Sequence, residues 1–239
     1  NIIGTFQLLQ TSLEYFEKSN KDIKKKFKFL HVSTDEVFGS LKKEGYFHEN
    51  SKYNPRSPYS ASKASSDHLV KAWYHTYGLP CIITNCSNNY GPWQNPEKLI
   101  PNTISKALLK ESIPVYGNGT NIRDWLYVDD HIDAILIAAE KGSPGSRYCI
   151  GGNNEKTNLD VVNKICQYLD KLNPKENSHK SLIKFVEDRP GHDFRYAIDS
   201  SLIKNDLNWI PKHNFKEGIE KTIDWYLCNK NWIKKVKNK

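Results

Sequence analysis

Cys81-Ile82-Ile83-Thr84-Asn85-Cys86 is a short, largely apolar run without polar alternation, the pattern of a strand buried on both faces of a parallel sheet. Just before it, residues 58–77 read as a helix. Pro58 suits a first helical position, Leu69, Val70 and Trp73 recur on one side, and Gly78 and Pro80 stop the run. Further upstream, residues 27–32 form a short strand that ends in Ser33-Thr34-Asp35-Glu36. Residues 1–18 space Ile2, Ile3, Phe6, Leu9, Leu13 and Phe16 near the period of about 3.6 that marks an amphipathic helix. A lysine-rich loop joins these two. Helix, strand, helix, strand is an α/β order.

Downstream of Cys86, a loop over 87–96 rich in Asn, Gly and Pro leads to a helix over 101–110. Val115 and Tyr116 make a short strand before the Gly117-Asn118-Gly119 turn. The pattern then predicts a helix over 129–141, a strand over 147–150, a helix over 159–172, a strand over 182–186 and closing helices over 200–207 and 215–226.

Only 38% of the 239 residues are apolar and the formal charge is +8, so a polar surface is expected. The excess charge is local: residues 21–28 carry five lysines and one aspartate, and residues 230–239 carry five lysines and no acid. Short lysine runs without a ladder of aromatic rings read as solvated surface, so nucleic acid is not an expected partner. No stretch approaches the roughly 18 apolar residues of a membrane helix and no leader pattern is recognisable, so no membrane partner is expected either. The five cysteines are odd in number and form no Cys-x-x-Cys, and the eight histidines show no metal spacing. A reducing cytoplasm, without disulfides or metal, is the expected setting. The chain has no methionine and opens inside a helical pattern, so it is read as a piece of a longer protein.

The sharpest chemical signal is Tyr59-Ser60-Ala61-Ser62-Lys63. Spacing i, i+4 on one helix puts phenol and ammonium on the same face, a turn apart. A phenol that titrates near about 10 needs a neighbouring positive charge to act as a base at neutral pH, and Lys63 is placed to supply it. The spacing alone also suits an ordinary surface helix. What favours chemistry is the preceding strand end, where the hydroxyls of Ser33 and Thr34 can reach the same substrate oxygen. Asp35 and Glu36 form a second constellation. Adjacent carboxylates raise one another's pKa, so one can hold a proton while the other accepts one, as an elimination requires. The same two residues also suit the cap and first turn of a helix.

Six blocks carry a resemblance: Ser33-Thr34-Asp35-Glu36-Val37-Phe38-Gly39, Pro58-Tyr59-Ser60-Ala61-Ser62-Lys63-Ala64, Asn85-Cys86-Ser87-Asn88-Asn89-Tyr90-Gly91-Pro92, Pro96-Glu97-Lys98-Leu99-Ile100-Pro101, Arg123-Asp124-Trp125-Leu126-Tyr127-Val128 and Asp188-Arg189-Pro190-Gly191-His192-Asp193. In this order they resemble the dTDP-glucose 4,6-dehydratases of the extended short-chain dehydrogenase/reductase superfamily. The Tyr-x-x-x-Lys spacing indicates only the superfamily, and Thr-Asp-Glu at the strand end points to the dehydratases within it. Phe38, where a tyrosine is usual, and Cys149, where an asparagine is usual, depart from the pattern.

The resemblance implies a Rossmann-like doubly wound parallel sheet, N-terminally incomplete here, with a smaller mixed α/β substrate-binding C-terminal domain. Residues 1–91 would be the remainder of the NAD-binding domain, 92–120 a substrate-domain insertion, 121–152 the return, and 153–239 the nucleotide-sugar-binding domain. It implies NAD as cofactor, dTDP-glucose or a related nucleotide-sugar as substrate in deoxysugar synthesis such as that of rhamnose, and a homodimer packed through the helices at 1–18 and 59–77. Tyr59 would take the proton of the sugar C4 hydroxyl while hydride leaves C4, with Lys63 lowering the phenol pKa and holding the nicotinamide ribose, and Thr34 binding that hydroxyl. Glu36 would remove the C5 proton as Asp35 protonates the departing C6 hydroxyl. Asn89 would contact cofactor and Asn88 substrate. Lys98, Leu99, Pro114, Val115, Tyr116, Arg123, Asn158, Asp188, Arg189, Pro190, Gly191 and His192 would surround nucleotide and diphosphate, with Arg123 and Arg189 as bidentate phosphate partners. A surface ion pair would equally explain either arginine, and a Pro-Gly turn would explain 188–192.

A dinucleotide-binding sheet starts with a strand, a Gly-rich turn and a helix that holds the pyrophosphate. No such turn occurs in these residues, so about three βαβ-sized units, of order 90 residues, are expected before Asn1. Two other functions stay open at this stage. One is a sugar-nucleotide epimerase or decarboxylase, in which Asp35 and Glu36 would be dispensable. The other is a non-catalytic nucleotide-sugar-binding module.

Overall fold

The structure, a computed structural model, describes residues 1–174 and 177–237; the end of the lysine run at 230–239 lies outside the described residues. Helix α1 (Ile2–Lys18) buries Thr5, Leu9 and Leu13. The lysine-rich stretch, expected as a loop, closes a short helix, α2 (Lys21–Lys26). Asn20 accepts a hydrogen bond from the Ile23 amide there, and three lysines complement the carbonyl end of the helix. Strand β1 (Phe29–Thr34) runs into a 3-10 turn over Asp35–Phe38. Helix α3 (Pro58–Tyr77) starts from a reciprocal Ser57–Ser60 capping box with proline in its first turn, and ends where Gly78 takes a left-handed φ of 66°. Strand β2 (Cys81–Cys86) is buried along its whole length.

The remainder runs β3 (Asn88–Tyr90), α4 (Leu99–Leu109), β4 (Ile113–Tyr116), β5 (Ile122–Tyr127), α5 (Val128–Lys141), β6 (Arg147–Ile150), β7 (Glu155–Thr157), α6 (Asn158–Leu172), β8 (Ile183–Val186), α7 (Ser201–Leu207), α8 (Phe215–Cys228) and α9 (Lys230–Lys237). Strands β3, β5 and β7 and helix α9 have no counterpart in the sequence reading. In β5 the chain buries Arg123 and Asp124 beside Trp125 and Leu126, so neither an apolar run nor an alternation marks it.

The site rests on a parallel sheet in the order β1-β2-β6, with Thr34 opposite Cys86 and Cys86 opposite Ile150 at the carboxyl ends. Alternate residues of β2 face opposite layers. Cys81 and Ile83 pack with Leu9 and Leu13 of α1 and Val70 and Trp73 of α3, whereas Ile82 packs with Ala134 and Ala138 of α5 and Ile203 of α7. Helices therefore cover both faces, as a doubly wound sheet requires. The largest apolar cluster lies elsewhere, among Ile104 of α4, Ile165 of α6, Ile219 and Ile223 of α8 and Val115 of β4. There β4 pairs in parallel with β8, and β5 pairs with β3 in parallel and with β7 antiparallel. Among the described residues no helix is long and apolar enough to cross a membrane. All five cysteines are free thiols, and only Cys228 is exposed.

Candidate active site

Chemistry-bearing side chains collect at the carboxyl end of β1. Thr34 accepts the Glu36 amide on its hydroxyl at 3.3 Å and so caps the turn that carries both acids. Gly39 ends that turn at φ 92°, where a Cβ would sit 2.6 Å from the Asn54 carbonyl oxygen. Only glycine fits that close approach.

Asp35 is 2% exposed. Burial raises its carboxyl pKa to about 8, the charges of Glu36 and Asp124 add to the rise, and Arg123 and the Thr34 hydroxyl only partly offset it. At neutral pH Asp35 therefore holds a proton. Glu36 is less deeply placed. Its pKa is also raised by burial, against the lowering pull of Arg123, Lys98 and Arg189, with Asp193 on the raising side. Three positive charges thus act on Glu36, without reversing the rise that burial imposes. Both acids are therefore shifted upward, Asp35 the more deeply buried of the two.

Tyr59 starts α3 and is 50% exposed. Burial, followed by the charges of Glu36, Cys86 and Asp35, pushes its phenol up to about 12. The sequence reading expects Lys63 to lower that value, and the structure differs. The Lys63 ammonium lies back on β1, donating to the Val32 carbonyl at 2.7 Å. The charges that reach the phenol are the negative ones of Glu36, Cys86 and Asp35, which oppose its ionisation.

Strand β3 carries Asn88 and Asn89. The Asn89 amide donates to Cys86 Sγ at 3.3 Å and to the Ser87 carbonyl at 3.1 Å. From below, Gln94 donates to the Asn89 carbonyl at 2.8 Å, and the Tyr226 hydroxyl of α8 donates to the Gln94 carbonyl at 2.6 Å. Three buried polar atoms at this sheet end, Asn89 Oδ1, Ser87 Oγ and Asp35 Oδ2, have no hydrogen-bond partner among the described residues. Buried polar atoms are normally paired, so these suit a polar ligand such as the ribose and amide end of a nicotinamide nucleotide.

The nucleotide-side residues divide. Lys98 and Arg189 are exposed, and with Arg123 they are close enough to Glu36 to act on its charge. Arg189 also lies over the Tyr116 ring at 5.1 Å and contacts His192 Nε2 at 3.0 Å, while His192 Nδ1 meets Asp188 at 2.7 Å. Exposed Pro190 and Gly191 complete this turn. Leu99, Pro114 and Asn158 are half-buried. Val115 is 1% exposed and packs in the large cluster, which leaves only its backbone to face a ligand. Arg123 is buried, and its guanidinium donates to the carbonyls of Ile122 at 2.7 Å, Asp193 at 2.9 Å and Phe194 at 3.3 Å. Its donors are engaged by backbone, a use that sequence spacing does not reveal. Sequence reasoning also missed Arg56, which pairs with Asp193 at 3.2 Å, and the buried Asp67. Asp67 follows Tyr59 and Lys63 at the same four-residue step, a signal that was available. Among the described residues no cluster of His, Cys, Asp or Glu is arranged to hold a metal.

The family model described as GDP-mannose 4,6 dehydratase matches residues 1–222. A "Probable dTDP-glucose 4,6-dehydratase" of Sinorhizobium fredii is 54% identical over 239 residues, all of this chain and 68% of the relative. The chain belongs to the dTDP-glucose 4,6-dehydratase family. The solved dTDP-glucose 4,6-dehydratase of Bacillus anthracis, in complex with NAD, superposes with a TM-score of 0.88 at 46% identity, over 98% of this chain and 70% of that one. DesIV, the dTDP-glucose 4,6-dehydratase of Streptomyces venezuelae with NAD and TYD bound, gives 0.89 at 38% identity, over 99% and 68%. In this chain the Asp35–Glu36 turn follows β1, the Tyr59–Lys63 helix is tied to β1 through Val32, and the Asn88–Asn89 strand follows β2, the neighbour of β1 in the sheet.

Proposed function

We propose that the site performs the NAD-dependent dehydration of dTDP-glucose to dTDP-4-keto-6-deoxyglucose. The observation that carries this reading is the division of the acid pair: Asp35 keeps its proton to about pH 8 while its neighbour Glu36 faces Arg123, Lys98 and Arg189. An epimerase needs one proton acceptor and no such donor.

NAD+, when bound, would supply a hydride acceptor for C4 and a hydride donor for C6, and Tyr59, Lys63 and Asn89 are the residues that would hold it. Tyr59 takes the C4 hydroxyl proton, Thr34 holds that oxygen, and Lys63 secures the Val32 end of β1 and the ribose. The C4 ketone acidifies the proton at C5. Glu36 removes that proton, Asp35 protonates the C6 hydroxyl so that it leaves as water, and the proton on Glu36 goes back to C5. The proton that Tyr59 took makes good the one that Asp35 gave, so water is lost, the side chains return to their starting states and no net redox change remains. Asn89, with its free buried oxygen, suits the cofactor, and Asn88 suits the sugar. Lys98 and Arg189 suit the diphosphate, with Arg123 adding charge from behind, and Pro114 to Tyr116, Leu99, Asn158 and residues 188–192 frame the nucleotide. In this reading residues 92–120 and 153–239 supply the substrate side, and residues 1–91 and 121–152 the cofactor side. Exposed Ile3 and Leu8 on α1 fit pairing of α1 and α3 with a second copy.

Incubation with dTDP-glucose and NAD+, followed by the alkaline absorbance of a 4-keto sugar, tests the proposal. Product that disappears in Glu36→Gln supports it, and an unrearranged 4-epimer as the product contradicts it.

A further inference from the structure

Behind the catalytic face lies a buried polar network that the reaction as written does not use. Asp67 of α3 is fully buried. Tyr53 donates to its Oδ2 at 3.0 Å, Asn85 donates to the same oxygen at 3.3 Å, and His31 Nε2 lies 3.2 Å from its Oδ1. The Asn85 amide is shared: its second contact, at 3.0 Å, is the carbonyl of Thr34. Arg147 of β6 closes the far side, hydrogen-bonded to the Tyr53 hydroxyl. One carboxylate therefore ties α3, β1, β2 and β6 together directly beneath the turn that carries both acids.

Replacing a buried ion or a member of a shared network affects every group that relied on it. Two of those groups belong to the proposed chemistry. Thr34 is held through Asn85. Lys63 stands one helical turn before Asp67 and is anchored on β1 between His31 and Ser33, through Val32. We infer that Asp67 is a positioning residue for the dehydratase site, fixing the Thr34 end of β1 through Asn85 and setting a buried carboxylate one helical turn from Lys63, whose ammonium is anchored on the strand beside it. The electrostatics agree in sign. Burial lowers the Lys63 pKa, and the charge of Asp67, with Cys86 behind it, raises it again. Although burial alone would raise Asp67, its contacts with His31, Ser33 and Tyr53 hold it below the usual carboxylate range. The charged or titratable groups around the carboxylate are His31 from β1, Tyr53 from the preceding loop, Lys63 and Lys71 from α3, and Arg147 from β6 through Tyr53.

The kinetic part of this inference rests on the dehydratase reading, and the titration part does not. The test follows the Lys63 side chain by NMR of lysine-labelled protein, its signal assigned by its loss in Lys63→Arg, alongside turnover of dTDP-glucose. In Asp67→Asn the Lys63 titration should move to lower pH, and kcat should fall roughly tenfold or more, as expected for a coupled network, with KM within about twofold. The exchange Asp67→Asn with Asn85→Asp keeps one carboxylate in the same pair and also guards against a single variant that does not fold. It should restore the Lys63 titration but not kcat, because an aspartate cannot donate to the Thr34 carbonyl. A Lys63 titration unchanged in Asp67→Asn overturns the charge role, and full kcat in the exchange variant overturns the anchoring role. No turnover by the native protein would count against the dehydratase reading alone, while the titration would still decide whether Asp67 sets the charge on Lys63.

Discussion

Asp35 and Glu36 are consecutive residues of one 3-10 turn, and burial gives them different protons to carry. Asp35 is 2% exposed and its pKa is raised to about 8, while Glu36 is raised by burial against the pull of Arg123, Lys98 and Arg189. The Thr34 cap fixes the turn that carries both side chains, and it leaves Asp35 buried and Glu36 only partly so.

Kinetic separation of the two acids follows. Asp35→Asn and Glu36→Gln should each lower dehydration by about 10²- to 10⁴-fold, the usual contribution of a positioned acid or base. Exchange of the C5 hydrogen with deuterated solvent should stop in Glu36→Gln and persist in Asp35→Asn, as mass spectrometry of recovered sugar would show.

The raised pKa of Asp35 has a consequence for folding. Its carboxyl binds a proton more tightly in the folded than in the unfolded chain, so its contribution to stability is complete below about pH 4 and is lost as pH rises toward about 8. The denaturant midpoint should therefore fall more between pH 5 and pH 8 in the native protein than in Asp35→Asn, which has no proton to lose. Equal falls in both proteins would show that Asp35 titrates normally.

Arg123 is held by three backbone carbonyls and by the Tyr196 ring at 4.4 Å. A lysine cannot satisfy that fork. Arg123→Lys should cost about 2–4 kcal/mol in urea unfolding, from buried acceptors left unpaired.

Two glycines should respond in opposite senses. Gly4 lies in α1 with nothing within 4 Å of an added Cβ, so Gly4→Ala should stabilise by roughly 0.5–1 kcal/mol through helix propensity. At Gly152 the Cβ would fall 2.1 Å from the Trp125 carbonyl oxygen. Gly152→Ala should displace β5 and lower the melting temperature.

What could be read in advance follows from how each signal is encoded. The unalternating run Cys81–Cys86 and the helix that begins at Pro58 announce the parallel sheet and its covering helix, because burial on two faces leaves a continuous apolar mark. Tyr59, Lys63, Asp35 and Glu36 were legible as local spacing. Strand β5 was not, since its charged residues are satisfied by partners distant in sequence, Arg123 by the carbonyls of Asp193 and Phe194, and Asp124 by the amides of Gly152 and Asn154. The rest of Lys63 was hidden for a similar reason. Its i, i+4 relation to Tyr59 is visible, whereas its bond to Val32 depends on how α3 lies across β1.

The most direct measurement uses dTDP-glucose carrying deuterium at C4, incubated with the protein and NAD+, with the product examined by NMR. The account predicts a 4-keto-6-deoxy sugar whose C6 methyl carries the deuterium that left C4. A 4-epimer with deuterium still at C4, or a 4-keto sugar that retains its C6 hydroxyl, would contradict it.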